Sequence, residues 1–472
     1  AIRDGLGRSM SARRYNYLFE DDDNTWTLAN GEKANLENNS SYNGEFALFG
    51  MFARVDYNYM NKYLLTGIVR RDGVSRFSPS NRYGVFPSIS AGWRISEEAF
   101  MNNTRNWLDD LKIRAGLGTT GNAEIPRPYN WAYEYGTNPG YSNYDFDGSQ
   151  TTALTGFKLD RFGNLDTKWE KTTMLNIGTD ATFLNGKLDF NIEWYYKKTS
   201  DMLVEANYSG LAGDAGRPYI NLGDMKNTGI DLTIGHNNKV GDFEYSVSAN
   251  LTHYKNKVLK ISDNPNARFF GSMDRISSVN LTTRGMPIGM FYGYKIDGFY
   301  ENEQDLANSA LPIGESSRED VAKNPKKWIG KYKYADTNGD GKINGDDKTI
   351  IGNPHPDAVI GLNMSGQYKG FDLTLFWYAS IGNDIFNMTK YWTDFWSFKG
   401  NRSTRMMSNS WEPGKTDATL PILDYQDNIS NNDPHSYFVE DGSFLKLKDI
   451  TLGYTLPAKL TNKLTIKRLR VY

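Results

Sequence analysis

The chain of 472 residues has room for two or three soluble domains or one large barrel. A net charge of −2 with no long basic run excludes a field-driven nucleic-acid binder, and the absence of cysteine removes disulfides, thiolate zinc sites and cysteine nucleophiles. No apolar run approaches the roughly 18 residues of a membrane-spanning helix, and "AIRDGLGRSM" shows no basic-then-apolar signal segment. Aromatic residues make up 14% of the chain, at a mean hydropathy of −0.62. Many aromatics, Gly and Asn with modest aliphatic content fit a β-rich protein, either a soluble sandwich or an outer-membrane barrel.

In chain order, apolar and polar residues alternate at period two, the mark of strands with two unlike faces. In "YGVFPSISAGWRI", Tyr83, Val85, Pro87, Ile89, Ala91, Trp93 and Ile95 share one face, against Gly84, Phe86, Ser88, Ser90, Gly92 and Arg94. "SEEAFM" (96–101) then carries a helical hint. "LKIRAGLG" sets Leu111, Ile113, Ala115 and Leu117 against Lys112 and Arg114. "LDFNIEWYYK" sets Leu188, Phe190, Ile192, Trp194 and Tyr196 against Asp189, Asn191, Glu193 and Lys197, and "FEYSVSANLTHY" repeats the pattern from Phe243. The alternation predicts about 12 to 14 strands, many longer than the 9–11 residues that cross a membrane, with the excess projecting as a rim.

The connections alternate in length. Those at 60–62, 184–187, 236–242, 369–370 and 457–463 are tight; those near 73–82, 120–165, 200–218, 258–287 and 382–441 are long, polar and aromatic. Long loops at one end and short turns at the other are the pattern of a transmembrane barrel, whereas a sandwich spreads loop lengths more evenly. Arg114, Asp189 and Glu193 then point into a polar lumen, and Trp93, Trp194 and Trp377 suit interfacial girdles. The same aromatics would serve as the core of a soluble sheet.

Three sets of residues are candidates for chemistry. Rings concentrate in two predicted external loops, as Trp131, Tyr133, Tyr135 and Tyr141 and as Tyr391, Trp392 and Trp396. They suit substrate contact, stacking on sugars or covering peptide side chains, and equally suit packing or a partner's lid. "YADTNGDGKINGDDKTI" (334–350) has calcium-loop spacing: Asp336, Asn338, Asp340, the Lys342 carbonyl, Asn344 and Asp347 at positions 1, 3, 5, 7, 9 and 12. Gly341 sits at the sharp turn and Ile343 is the apolar anchor. The prolines of "NPHPD" break any following helix, so an ion here would pin a loop rather than switch one; an ion-free Gly/Asn/Asp turn is the alternative. Enzyme signals are poor. The four histidines lack ligand spacing, and "EPGKT" lacks the first glycine of a phosphate loop, with Asn409 in its place.

Several segments resemble one family. "KYLLTGIVRRDGVSRFSPSNRYGVFPSISAGWRISEEAFM" is similar to the shared barrel segment of SusC/RagA-like TonB-dependent outer-membrane transporters of Bacteroidetes. "LKIRAGLGTTGN", "NLGDMKNTGIDLTI", "ADTNGDGKINGDDKTIIGNPHPDAVIGLNMSGQYKGFDLTLFW" and "DGSFLKLKDITLGYTLPAKL" follow in the family's order. The resemblance implies an all-β fold: part of a transmembrane antiparallel β-barrel of about 22 strands, with long extracellular loops and short periplasmic turns. It implies a partial receptor barrel domain over 1–472, plug and first strands absent and last strands truncated, with a calcium-loop-like extracellular insert at 334–350. It further implies active import of glycans or oligopeptides across the outer membrane, in contact with its lipid. The drive would come from the TonB complex through the absent N-terminal part, under a SusD-like surface lipoprotein lid. From the residues themselves, calcium at 334–350 is expected to be structural and no enzyme activity is expected. The reading from another class is a soluble, surface-exposed β-rich glycan-binding protein with a structural calcium.

Overall fold

Period-two alternation becomes twelve paired strands in a computed structural model, which describes residues 46–137, 142–144, 154–206, 213–273, 275–395, 400–424, 433–461 and 465–472. The strands are β1 (Leu48–Tyr59), β2 (Tyr63–Val74), β3 (Tyr83–Arg94), β4 (Leu108–Asn122), β5 (Glu170–Phe183) and β6 (Leu188–Glu205). They continue as β7 (Tyr219–Val240), β8 (Phe243–Lys260), β9 (Ala358–Tyr368), β10 (Phe371–Ile381), β11 (Phe444–Thr455) and β12 (Arg470–Val471). Each pairs antiparallel with its neighbour in sequence, so the sheet is an up-and-down meander without crossovers.

At one end the turns are tight for local reasons. Lys369 and Gly370 both have positive φ (47° and 90°), as a two-residue type I′ hairpin requires. Between β7 and β8 the expected turn at 236–242 shrinks to Gly241–Asp242, with Gly241 at φ 60°. His236 to Val240 stay in the ladder opposite Val247 to Phe243, so cross-strand pairing overrides a polar, Asn-rich stretch. The 22 residues of β7 extend about 70 Å, well beyond a hydrocarbon core. The helical hint after β3 resolves into two 3₁₀ turns, Ile95–Glu97 and Ala99–Thr104. Glu98 between them is extended because its carboxylate gathers Lys62 Nζ (2.9 Å), Tyr63 Oη (2.7 Å) and Trp93 Nε1 (3.1 Å).

The two faces of the sheet decide between barrel and sandwich. The apolar face is the uncovered one: Leu65, Ile89, Ile113 and Ile177 are 44%, 53%, 41% and 46% exposed. Among the described residues no second sheet lies on them, as a sandwich core demands. The polar face carries an ion-paired ladder across β4, β5 and β6. Lys112 meets Asp180 at 2.7 Å, Arg114 meets Asp180 at 3.3 Å and also binds Glu193, and Asn176 donates to Glu193 at 3.1 Å. Asp189, on the same face, accepts from Thr182 at 2.9 Å. A wall with hydrocarbon outside and a polar lumen inside has this arrangement.

The girdle expectation needs correction in part. Trp93 is the last residue but one of β3, but Trp194 and Trp377 are each the seventh residue of their strands. Both lie about 20 Å along the strand from the short turns, toward the far border of the roughly 25 Å apolar band. The near border is built from aromatic pairs that the alternation does not single out: Tyr59–Tyr63, Trp107–Phe183 and Phe371–Tyr454, with ring centroids 6.5, 6.0 and 4.5 Å apart. A charge on the outward face should therefore cost about 2–4 kcal/mol, as arginine does at a bilayer midplane. Ile177→Arg is expected to lower the urea midpoint of the folded protein in lipid vesicles, whereas Ser248→Arg, on the inward face of β8, leaves it unchanged.

Candidate functional site

The two longest described connections, β8 to β9 (261–357) and β10 to β11 (382–443), leave the long-loop end and fold into one body. The first is longer than the expected 258–287 because residues beyond 287 build the loop's own short strands. Met290–Gly293 and Thr349–Gly352 join Arg268–Met273 and Ile276–Thr283 in a small sheet, and Ile296–Phe299 pairs with Tyr332–Tyr334. The body is held by a core drawn from both loops. Tyr294 stacks on Tyr334 at 4.7 Å, and the fully buried His435 stacks on Phe438 at 4.4 Å and tilts against Tyr332 at 5.1 Å. Main-chain bonds cross the same seam, Tyr294 N–H to Pro434 O at 2.9 Å and Ser436 N–H to Tyr294 O at 3.0 Å.

A polar knot closes the second loop. The Asp394 carboxylate, with no exposed side-chain area, accepts from Arg405 Nε (3.0 Å) and Nη2 (3.1 Å), Tyr437 Oη (2.7 Å) and Thr393 Oγ1 (2.8 Å). Burial by itself would push this carboxyl up. The donors, Arg405 foremost, outweigh it and hold it below the usual aspartate range. The Tyr437 hydroxyl is pushed up by burial and by the neighbouring Asp394 charge, so it stays a donor. Lys390 reaches the Tyr437 carbonyl and Glu440, both at 2.7 Å, and its ammonium lies 4.2 Å from the Tyr437 ring centroid.

The expected contact residues are split by this packing. Tyr391 is only 5% exposed, edge-on to Trp392 at 5.3 Å and against Phe438 at 6.4 Å, so it is a core residue and its ring has no free face for a ligand. Trp392 remains on the surface with the Arg275 guanidinium 5.3 Å from its ring. In the β4–β5 connection Trp131 is half-buried, while Tyr133 and Tyr135 are 54% and 66% exposed, Tyr133 lying edge-on to Phe162 at 6.4 Å. Tyr141 and Trp396 lie outside the described residues. Buried Asn130, unremarked in the sequence, latches that connection to β7, donating to Tyr219 O and accepting from Tyr219 N–H at 2.7 and 2.8 Å. A lone asparagine among many carries no pattern that would reveal it.

The loop at 336–347 follows strand Tyr332–Tyr334 and leads into strand Thr349–Gly352 through one 3₁₀ turn, Gly345–Asp347. Its side chains fold onto their own backbone. Asp336 accepts from Gly339 and Gly341 N–H (2.7 and 2.8 Å), Asn338 from Asp340 (2.8 Å), and Asp340 from Lys342 (3.0 Å). Asn344 accepts from Asp346 (2.8 Å), and buried Asp347 from Thr337 and Asn344 (3.0 and 2.8 Å). Gly339 and Gly341 supply the positive φ of 75° and 83° that this winding requires. The Gly341 N–H, first among several backbone donors, holds the Asp336 carboxyl below its ordinary range. Ile343, 4% exposed, anchors the loop in the core and donates its N–H to Leu311 O at 2.8 Å. Among the described residues no three carboxylate or imidazole side chains converge on one point. The all-oxygen set would therefore fit calcium only with the Asn338 and Asn344 amide oxygens and the Lys342 carbonyl completing the shell.

An outward apolar face, an ion-paired inward face and folded loops at one end define a class, the transmembrane β-barrel. The chain matches the family "TonB dependent receptor-like, beta-barrel" over residues 3–472 and belongs to it. It is 32% identical to TonB-dependent receptor P3 of Formosa agariphila, over 92% of this chain and 41% of that protein. To TonB-dependent receptor SusC of Bacteroides thetaiotaomicron it is 31% identical, over 89% of this chain and 39% of that one. Among solved structures, the RagAB peptide transporter shares the fold at a TM-score of 0.73 and 24% identity, covering 96% of this chain and 46% of that chain. The ordered blocks read as SusC/RagA-like do mark that family. The chain spans about two-fifths of the length of the curated relatives it matches.

Asp394→Ala removes the acceptor shared by the Tyr437 and Thr393 hydroxyls and the Arg405 guanidinium, and is expected to cost the loop body about 2–3 kcal/mol. Faster hydrogen exchange across residues 400–424 and 433–443 would show it. The Asp394 carboxyl titrates below its unfolded value of about 3.9, so the stabilisation is complete above that pH and is lost as pH falls through the folded value. The loop body should keep its protease resistance at pH 5 and lose it only below pH 4.

Proposed function

We propose that this chain is the barrel wall and part of the extracellular mouth of an outer-membrane importer of oligomeric nutrients, oligosaccharides or oligopeptides. What carries the reading is the division of faces: an uncovered apolar face, against an inward face whose charges are paired across β4 to β6. A water-soluble binding protein would bury the first and expose the second. Family membership supports energy coupling through TonB, and the likeness to SusC and RagAB supports a surface lipoprotein that closes the mouth as a lid. RagAB is a peptide transporter; the exposed Tyr133, Tyr135 and Trp392 rings suit sugar faces as well. The role proposed for the lumen is passage. The loop 336–347 is proposed to hold one structural calcium through Asp336, Asn338, Asp340, the Lys342 carbonyl, Asn344 and Asp347, clamping the loop body where Ile343 enters its core.

Two experiments test these statements. Cells lacking the full-length gene should lose uptake of one labelled cargo class at least tenfold, as should cells whose energy coupling is disabled. Unchanged uptake of both classes, or recovery of the protein as a detergent-free soluble monomer, would overturn the importer. For the ion, purified protein should carry one calcium per chain, and chelation should speed protease cleavage within 334–350. Asp336→Ala should make cleavage fast with or without calcium; metal analysis without stoichiometric calcium would sink the site.

A further inference from the structure

The outward face is not uniform. Between β8, β9 and β10, close to the short turns, it opens into a groove of about 430 Å³ lined by Phe243, Tyr245, Val247, Met364, Leu373 and Leu452. Its origin is one residue. Outward positions of β9 run Leu362, Met364, Gly366 and Tyr368, and Gly366, paired with Tyr245 on one side and Leu373 on the other, contributes no side chain. The trough left at that step borders the Phe243 ring, which a Cβ at 366 would meet at 3.3 Å. Tyr368 and Phe371 stand beside it at the last step before the turn, both about half exposed.

Directly below the groove the two adjacent turns present opposite charges. Lys369 Nζ lies 3.8 Å from Asp242 Oδ2 and 5.2 Å from the centroid of the Tyr368 ring, and both charged side chains are more than 60% exposed. The groove's own lining includes one carboxylate, Asp372, which is ion-paired with Arg470. A second outward groove, about 560 Å³ between Ile360, Leu362, Trp377, Ala379, Ile381 and Leu445, has Ser443 at its edge and no charged residue in its lining. An apolar trough ending at an exposed cation and anion, with an aromatic rim at headgroup level, matches one molecule shape: a hydrocarbon tail joined to a head bearing both signs.

Resting on the membrane reading above, we propose that this groove is a binding site for a phospholipid with a primary-ammonium headgroup, in the leaflet at the short-turn end. An acyl chain lies along Gly366, the phosphate pairs with Lys369 and the ammonium with Asp242. The site is a property of the wall and is separate from the cargo path, which lies on the opposite face of the same strands. Phosphatidylethanolamine should fit it better than phosphatidylglycerol, whose head lacks the ammonium that Asp242 would meet.

The test is native mass spectrometry of the full-length protein purified from outer membranes in mild detergent and titrated with each lipid. Wild type should retain one phosphatidylethanolamine at least fivefold more strongly than phosphatidylglycerol. Gly366→Leu, which fills the trough, should lose this retention about fivefold, while Ala91→Leu on the outward face of β3 keeps it. Asp242→Ala, at an exposed turn where folding is not at stake, should reduce the headgroup preference below twofold. Heat-modifiable gel migration confirms that each variant is folded and embedded. Equal retention by wild type and folded Gly366→Leu overturns the site, as does a preference indifferent to Asp242→Ala. A wild-type dimer that falls apart on Gly366→Leu without change in bound lipid overturns it in favour of a second copy of the chain. A wild type that never enters the membrane fraction overturns the importer reading beneath it.

Discussion

Main-chain hydrogen bonding is the constraint on which everything else here depends. In hydrocarbon an unpaired N–H or C=O costs several kcal/mol, so a strand can stand in a membrane wall only with a paired neighbour. From β2 to β10 the meander meets this by pairing each strand on both sides, over registers of up to 17 residue pairs between β7 and β8; among the described residues β1 pairs on one side only and β11 meets β12 over two residue pairs. Once the ladder is continuous, the pleat alone assigns every side chain to hydrocarbon or lumen. The ion pairs of Arg114, Asp180 and Glu193 then follow as a second-order need. Their side chains are 17–29% exposed, so none is sealed from water, and each is held against its neighbour across strands rather than left to swing across the lumen.

At the long-loop end the governing interaction changes. The loops have no continuous ladder and bury their own apolar residues, around Tyr294, Tyr334, His435 and Phe438. The Asp394 knot serves the same body. A charge with no exposed area is tolerable only because arginine, tyrosine and threonine all donate to it. Calcium at 336–347 would act at the border of this body, since Ile343 and Asp347 are buried while Asn338 and Asp340 lie on the exposed turn.

What could be read from the sequence divides along the same line. The strands, their faces and the Lys369–Gly370 hairpin were legible because alternation and turn chemistry are local signals, carried by residues a few positions apart. Arg114 and Glu193 were placed in the lumen correctly by the same logic. Local signals failed at 236–242, where a polar run looks like a turn until its partner strand is known. They failed more fully in the loops. Tyr391 and Trp392 are adjacent and both aromatic, yet one is core and the other surface, and only contacts with Phe438 and Arg275, far along the chain, separate them. Asn130 was invisible for the same reason, since its partner Tyr219 lies 89 residues away.

The shared core of the two long loops has a mechanical corollary. Because rings from 261–357 and 382–443 interleave, neither loop can be displaced alone without opening a cavity in the other's packing. The pair packs as one body joined to the wall at four consecutive strand ends, Lys260, Ala358, Ile381 and Phe444, and by hydrogen bonds to β8, Ile288 N–H to Asn256 Oδ1 and Val258 N–H to Met286 O among them. Displacing that body would break these bonds together with the chain's own path into the four strands.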